Sequence, residues 1–369
     1  MRFSFYLNPQ VPGPEHDTRV LNEVLGQVDL AQRLGFSDVW LTDHQFTGYN
    51  VFSDPLTLAA ALSQRNRGMR IGFAVAVVPL RHPISFVTQC NLIDQLTGGN
   101  FVVGVGAGNS PDEYAGYGLT TDVRHERMRE FLAVCEKAWA QDPEGFEYEG
   151  KYYSGRVRGR IIPRPVQQPR PHIAYGTSTP ETLERVGRQG WSLLLGPQDV
   201  SILASRLHYF VKGQREAGLT EQERRKAWHD TGFLRQIYVA APGEDWRDTI
   251  GASIENYLRA SAKANTGIDD LSRDDLEKRK EGYLKNWLFA GTAEELIERI
   301  RPFVELGVGH MMCWFTFGYT PDHIVRQSML RFAADVMPAL REITPNPDLL
   351  ERIAASPVGA TRPDEPIAS

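Results

Sequence analysis

The chain of 369 residues is short of cysteine and of uninterrupted apolar sequence. Its three cysteines, Cys90, Cys135 and Cys313, lie far apart and form no C-x-x-C pair, which argues against a disulfide framework and a zinc site. The apolar run at the N-terminus is broken at Asn8 and Pro9, too early for a signal-peptide core. We therefore expect a cytoplasmic protein in a reducing environment.

An excess of positive charge and several catalytic motifs are also lacking. The net charge of −5 offers no electrostatic footprint for nucleic acid or an anionic membrane. The longest apolar run, Ile71–Val78, covers less than half of a membrane span. No H-x-x-x-H, H-E-x-x-H or G-x-S-x-G motif occurs. We therefore expect no nucleic-acid partner, no membrane span, no metal site and no serine nucleophile of the hydrolase type.

What the chain does contain is a regular alternation of β-rich and helical segments, which is typical of βα units and a parallel sheet. Apolar residues recur at helical spacing from Val20 to Leu34 and in eight further segments. The predicted helices after the first are at about 54–66, 84–97, 121–140, 180–189, 199–217, 245–263, 293–306 and 321–341. The predicted strands are Arg2–Leu7, Asp38–Leu41, Ile71–Val78, Phe101–Val105, His172–Tyr175, Ser192–Leu195, Phe233–Ala240 and His310–Phe317.

This order predicts an α/β fold, a (β/α)8 TIM barrel with insertions, as one domain over residues 1–343. A doubly wound sheet is the alternative fold. The segments 144–168 and 265–286 do not follow the alternation, and long segments of this kind tend to be lids or insertions. Residues 344–369 are rich in proline, and we expect a loosely attached C-terminal tail.

The strongest candidate for chemistry is the pair Asp43 and His44, just after the second predicted strand. In a parallel barrel, side chains from the carboxyl ends of different strands converge on the active site. An imidazole there can act as general base, general acid or hydrogen-bond donor. The alternative is a structural histidine held by Asp43. Asp43 itself either orients the ring or caps a loop.

Two glycine-containing turns follow later strands. The run Gly104-Val-Gly106-Ala107-Gly108-Asn109 would let a planar ligand approach the backbone, but it does not match a dinucleotide fingerprint. The turn Gly176-Thr-Ser178-Thr179 leads into a predicted helix and could bind phosphate at the helix N-terminus. Ordinary N-capping by Thr179 is the alternative. The basic segment 156–170 is more typical of a solvated loop, although one arginine could reach a phosphate.

Extended segments resemble the bacterial-luciferase-like family of flavin-dependent oxidoreductases, and in particular its luciferase and monooxygenase branch. The resemblance runs from the first strand to about Leu340 with matching order and spacing. The matching segments are VWLTDHQFT at 39–47, RIGFAVAVVPLRHP at 70–83, NLIDQLTGGNFVVGVGAG at 91–108, FEYEGKYY at 146–153, PRPVQQPRPHIA at 163–174, GTAEELIERI at 291–300 and ELGVGHMM at 305–312.

The resemblance implies a TIM-barrel monooxygenase that binds reduced FMN, supplied by a separate NAD(P)H:flavin reductase, and reacts it with O2 to give a flavin hydroperoxide. Oxygen would pass to a small organic substrate by hydroxylation or Baeyer–Villiger insertion. His44 would be the catalytic histidine. Ala74 and Val75 would form a non-proline cis peptide against which the flavin packs. Gly106, Ala107 and Asn109 would border the ring, and the turn of Gly176, Ser178 and Thr179 would take the phosphate.

The chain departs from luciferase where Gly106 and Ala107 replace a cysteine and a phosphate-binding arginine. We expect Arg160, together with Ser178 and Thr179, to compensate. The substrate pocket is expected to be walled by the two insertions and by Asn8, Tyr49, Tyr114, Trp191 and Trp314.

Two alternatives to the monooxygenase remain. One is a hydride-transfer enzyme that uses the deazaflavin coenzyme; in its sugar-phosphate dehydrogenase branch a glutamate is typical where this chain has Asn109. The other is a non-catalytic flavin-binding or partner subunit. By the same resemblance we expect a homodimer, with apolar faces at Leu56, Leu58, Leu62, Leu92 and Leu96. These leucines could equally pack within the chain.

Overall fold

A computed structural model of the chain describes residues 1–344, so most of the predicted tail lies outside the described residues. The strands are β1 Arg2–Leu7, β2 Asp38–Leu41, β3 Arg70–Phe73, β4 Ala76–Val77, β5 Phe101–Gly106, β6 Phe146–Glu149, β7 Ser154–Val157, β8 His172–Gly176, β9 Ser192–Leu195, β10 Gly232–Val239, β11 Leu288–Gly291 and β12 His310–Trp314.

The helices surround the strands. They are α1 Asp17–Arg33, α2 Pro55–Arg65, α3 Pro83–Leu96, α4 Pro111–Gly116, α5 Arg124–Trp139, α6 Pro180–Arg188, α7 Val200–Glu216, α8 Glu221–Asp230, α9 Trp246–Thr266, α10 Arg273–Asn286, α11 Ala293–Glu305, α12 Asp322–Arg331 and α13 Met337–Arg341, with a π-helical turn at Phe332–Val336 between the last two.

Eight parallel strands close into a barrel, which confirms the predicted fold. The order around the ring is β1, β2, β3, β5, β8, β9, β10 and β12, and β12 pairs with β1. Alternation along each strand divides the core. On β1, Phe5 and Leu7 face the helices, while Tyr6 belongs to the cluster inside the barrel.

Three details of the strand pattern differ from the prediction. The third predicted strand is interrupted at Ala74 and Val75, and β4 takes over the pairing with β5 beyond the break. The last predicted strand ends at Trp314 rather than at Phe317. The short strand β11 was not predicted, because Trp287 alone separates it from α10 and no glycine or proline marks its start; it pairs with β10.

Both predicted insertions contain regular structure. Residues 144–168 hold the antiparallel hairpin of β6 and β7. Residues 265–286 hold α10, which is capped by the preceding Ser272, whose hydroxyl accepts a hydrogen bond from the Asp275 amide. The segment after α10 brings Trp287 to the carboxyl end of the barrel.

The amino ends of the strands are closed by a buried polar network. Asp230 accepts hydrogen bonds from Arg2 and Arg70, and His172 Nε2 lies 2.7 Å from Ser192 Oγ. His310 is fully buried, and its Nε2 lies 2.5 Å from Ser4 Oγ. In TIM barrels this end serves stability rather than catalysis.

The two buried histidines predict that stability falls in mild acid. Burial lowers the pKa of both His172 and His310 from 6.5 to about 4. Between these pH values the unfolded chain binds protons that the folded chain does not, so the free energy of unfolding should decrease by roughly 2 kcal/mol per histidine from pH 7 to pH 5. Urea unfolding at both pH values measures this.

His172→Gln should remove about half of that pH dependence, whereas the same change at the exposed His323 should leave it intact. An equal loss of stability in acid for wild type and His172→Gln would contradict the assignment.

Candidate functional site

A cavity of about 230 Å³ opens inside the barrel at the carboxyl ends of the strands. In parallel barrels this end holds the active site. None of the sixteen lining residues, all within the described part of the chain, is Asp, Glu, Lys or Arg. The lining residues are Tyr6, Asn8, His44, Tyr49, Ala74, Val75, Gly176, Leu194, Leu195, Gly196, Pro197, Leu234, Asn265, Trp287, Met312 and Trp314.

His44 is the imidazole on the cavity wall. Its Nδ1 lies 3.0 Å from Oε1 of Glu113, whose side chain is 2% exposed. The ring also meets the Tyr49 ring edge-on, with 4.9 Å between centroids. A carboxylate at Nδ1 selects, for the neutral ring, the tautomer with its proton on that nitrogen, which leaves Nε2 able to accept a proton.

Sequence reasoning missed Glu113. It lies on α4, a single turn that follows β5, and its backbone amide donates to the Ser110 hydroxyl at the start of that turn. The spacing Ser110-x-x-Glu113 is that of a capping box and could have drawn attention to this turn. Here, however, the carboxylate accepts from the Gln45 amide and faces His44 instead of closing the box.

Asp43 does not contact the His44 ring. Its carboxylate accepts hydrogen bonds from the Val77 amide at 2.9 Å, from the Gln45 side chain at 2.8 Å and from the Arg81 guanidinium at 2.8 Å. The hypothesis that Asp43 orients the ring is therefore wrong. Asp43 joins the loop after β2 to the start of β4.

The break between β3 and β4 forms one wall of the cavity. The peptide bond between Ala74 and Val75 is cis, as the family resemblance implies. The Val75 side chain lies so close to β5 and β8 that a Cβ on Gly106 would come within 2.3 Å of it, and one on Gly176 within 3.0 Å.

The glycine run of β5 therefore has a steric role. Gly106, Ala107 and Asn109 are absent from the cavity lining, which differs from the prediction that they border a ligand. Gly106 makes room for Val75, and Val75 in turn forms the wall. Glycine is required there because a neighbouring side chain, rather than a ligand, occupies the space.

The turn after β8 carries two exposed hydroxyls. Thr179 precedes α6 but makes no side-chain capping bond, so the capping alternative does not hold. Gly176 lines the cavity, whereas Ser178 and Thr179 lie outside it.

Basic side chains gather near this turn. Arg185 donates to the Tyr175 hydroxyl at 3.3 Å. Burial lowers the pKa of His125, and so do the nearby charges of Arg124, Arg129 and Arg185. Within residues 1–344 none of these three arginines forms an ion pair with a carboxylate, so together they leave a local excess of positive charge.

Arg160 lies elsewhere. Its guanidinium donates to the Ile161 carbonyl, and the preceding Gly159 lies against Pro143 at the base of the β6–β7 hairpin, beyond the carboxyl end of α5. Since α5 begins near the carboxyl ends of the barrel strands and runs towards the opposite end, the prediction that Arg160 compensates for the missing arginine is not supported by its position.

The predicted substrate residues divide into two groups. Asn8, Tyr49 and Trp314 line the cavity. Tyr114 is fully buried and donates to the Ala107 carbonyl, while Trp191 stacks on Tyr175 outside the barrel, so neither reaches it. The prediction missed nine residues of the wall, because strands, loops and a helix far apart in sequence supply them: Tyr6, Leu194, Leu195, Gly196, Pro197, Leu234, Asn265, Trp287 and Met312.

Two features are absent from residues 1–344. No helix there is long and apolar enough to cross a membrane. No group of three or more His, Cys, Asp or Glu side chains is arranged to hold a metal ion.

The chain is similar to known proteins over most of its length. The model of the luciferase-like monooxygenase family matches residues 1–310. The oxygenase component of the flavin-dependent trigonelline monooxygenase from Acinetobacter baylyi is 23% identical over 93% of this chain and 96% of its own length. An F420-dependent glucose-6-phosphate dehydrogenase from Amycolatopsis mediterranei is also 23% identical, over 85% of this chain.

Solved structures share the fold. Monooxygenase RslO1 from Streptomyces bottropensis has a TM-score of 0.77 and 24% identity, and covers 92% of this chain and 99% of its own. The oxygenating constituent of 3,6-diketocamphane monooxygenase from Pseudomonas putida, a type II Baeyer–Villiger enzyme in complex with FMN, has a TM-score of 0.74 and 18% identity, and covers 92% and 98%.

Proposed function

Because the chain belongs to the luciferase-like monooxygenase family, we propose that it is an oxygenase that uses reduced FMN and O2 to oxygenate a small organic substrate. The observation that carries this proposal is that His44, paired with Glu113, and the Ala74–Val75 break line the same cavity. A separate NAD(P)H:flavin reductase would supply the reduced flavin, as expected for an oxygenase component, and both would act in the cytoplasm.

The residues of the cavity suit a flavin ring. The side chains of Ala74 and Val75 are apolar, and Tyr6 donates its hydroxyl proton to the Ala74 carbonyl at 3.4 Å. Trp287 and Trp314 face the same space. When bound, reduced FMN would supply the electrons that activate O2.

His44 would act as the general acid and base of the reaction. With Glu113 holding the Nδ1 proton, Nε2 accepts a proton from the reacting groups or returns it, which is general acid–base catalysis. The apolar and aromatic walls exclude water, so hydrogen bonds and charges inside are stronger than in solution. A non-catalytic binding subunit would have no need for this pair.

The phosphate of FMN would bind at the turn after β8. The free hydroxyls of Ser178 and Thr179, the amides at the start of α6 and the nearby Arg185 offer donors and positive charge. This assigns the compensating charge to Arg185, with Arg124 and Arg129 in support, instead of Arg160.

A deazaflavin-dependent hydride transferase is the second candidate, since F420-dependent relatives exist. A sugar phosphate would need a cation in the substrate cavity, and the described lining has none. Asn109 in place of the glutamate typical of that branch also speaks against it.

A homodimer is part of the proposal, but with a different face. Leu56, Leu58 and Leu62 are buried within the chain and cannot serve. Leu92 and Leu96 are 48% and 40% exposed. They join Ile162 and Val166, which are exposed on the neighbouring segment that Asn91 and Gln95 hold against α3. We name these four side chains the α3 patch.

Replacing His44 should stop oxygen transfer without preventing flavin binding. With FMN, NADH, a flavin reductase, 18O2 and a small-molecule extract as substrate source, His44→Asn should lower 18O incorporation by about 10²–10⁴-fold. Glu113→Gln should cause a smaller loss, because the ring keeps a hydrogen-bond partner without the charge. His323→Asn is the control, and quenching of FMN fluorescence reports binding.

Absence of 18O transfer by wild type, together with binding of the deazaflavin but not of FMN, would favour the hydride transferase.

Arg185 should distinguish flavins by their phosphate. Arg185→Gln is expected to weaken FMN binding about tenfold, or about 1.4 kcal/mol, and to leave riboflavin binding unchanged. Arg188→Gln, on the same helix but paired with Glu184 and Glu216, is the matched control. Equal effects on FMN and riboflavin would remove Arg185 from the phosphate site.

A charge in the α3 patch should separate the subunits. Leu96→Lys is expected to sediment as a monomer at micromolar concentration where wild type sediments as a dimer, since a buried lysine without a partner is unfavourable. Leu330→Lys, which alters an exposed leucine on α12, should remain dimeric. A monomeric wild type would refute the dimer.

A further inference from the structure

Among the described residues, no Asp, Glu, Lys or Arg side chain lines the cavity. Burial raises the pKa of the Tyr6 and Tyr49 phenols, so both stay neutral. The nearest carboxylate, Glu113, lies behind His44 with its hydrogen bonds made inside the protein. No fixed positive or negative charge therefore remains to neutralise an ionic ligand.

Strand β10 carries an arginine beside a residue of the cavity wall, but the side chain of this arginine points away from the cavity. Leu234 of β10 lines the cavity, but the next residue, Arg235, lies on the opposite face of the strand. There its guanidinium packs on the rings of Phe289 and Phe303 and donates to the Leu234 carbonyl. The charge of Arg235 therefore lies between the barrel strands and the surrounding helices, outside the cavity.

Two amide side chains give the cavity its polar character. Asn8 accepts from the Thr42 hydroxyl through Oδ1, and its Nδ2 makes no hydrogen bond within residues 1–344. Asn265 donates through Nδ2 to the Ser261 carbonyl, and its Oδ1 accepts no hydrogen bond within residues 1–344. Besides His44, the cavity thus offers one neutral donor and one neutral acceptor, and Trp287 and Trp314 supply aromatic walls.

We propose that the substrate is an uncharged, flat molecule, an aromatic or fused-ring compound with a hydroxyl or carbonyl oxygen, and not a carboxylate, phosphate or ammonium compound. A charge without a counter-charge would have to give up its hydration on entering, which is far more costly than burying a neutral ring. This inference rests on the proposed function. The flavin ring would lie against the wall at Ala74 and Val75, and the part of the cavity beside Asn8 and Asn265 is taken as the substrate site.

Matched probes test the proposal. Equilibrium dialysis at pH 7 of 2-naphthol and 2-naphthoate, two probes of similar size that differ in charge, is carried out with the protein loaded with oxidised FMN. We expect 2-naphthol to bind at least about tenfold more tightly. Equal or tighter binding of 2-naphthoate would overturn the inference.

A cation added to the wall should reverse the preference. Asn265→Lys is expected to tighten 2-naphthoate binding about tenfold, while Thr266→Lys, which adds the same charge at the neighbouring exposed position outside the lining, should change neither probe. A gain in both variants would mean that surface charge, and not the cavity, governs binding, and would count against the proposal.

The two proposals fail separately. If FMN does not bind, the proposed function fails, and the same dialysis without FMN still decides whether the cavity selects neutral ligands.

Discussion

The site depends on one buried carboxylate, that of Asp43. It binds the Val77 amide, and through this bond it holds the start of β4 beyond the break at Ala74 and Val75. It also binds Arg81, which is itself mostly buried. Because Asp43 is bound on this side, the adjacent His44 faces the other way, towards the cavity and Glu113. The wall and the imidazole are thus positioned by neighbouring residues of one loop.

The same arrangement explains why glycine is concentrated on β5. Val75 fills the space beside Gly106 and Gly176, and any side chain at those positions would push the wall into the cavity. The family resemblance implies that the glycine run borders the cofactor. In the structure Gly106 contacts Val75 instead, and Val75 lines the cavity. The glycines support the residue that forms the wall, as expected where a backbone must approach a bulky neighbour.

The local pattern of apolar and turn residues was sufficient to predict most of the barrel. The eight barrel strands follow from short β-rich runs between helical repeats. His44 and Gly176 were predicted from positions at the ends of those strands, whereas Ala74 and Val75 came from the family resemblance alone, and all four line the cavity. Glu113 and Trp287 were not, because each lies in a short element whose partner is remote in sequence. Arg160 was misjudged for the same reason: its chain neighbours do not reveal which end of the barrel it occupies.

The sequence by itself determined the barrel, since apolar periodicity and strand order are local properties, and its extended matching segments indicated the family. Only the tertiary structure decided which carboxylate serves His44, which arginines lie near the turn after β8 and why the cavity carries no charge. Those properties depend on contacts between residues tens to hundreds of positions apart, and on the direction in which each strand turns its side chains.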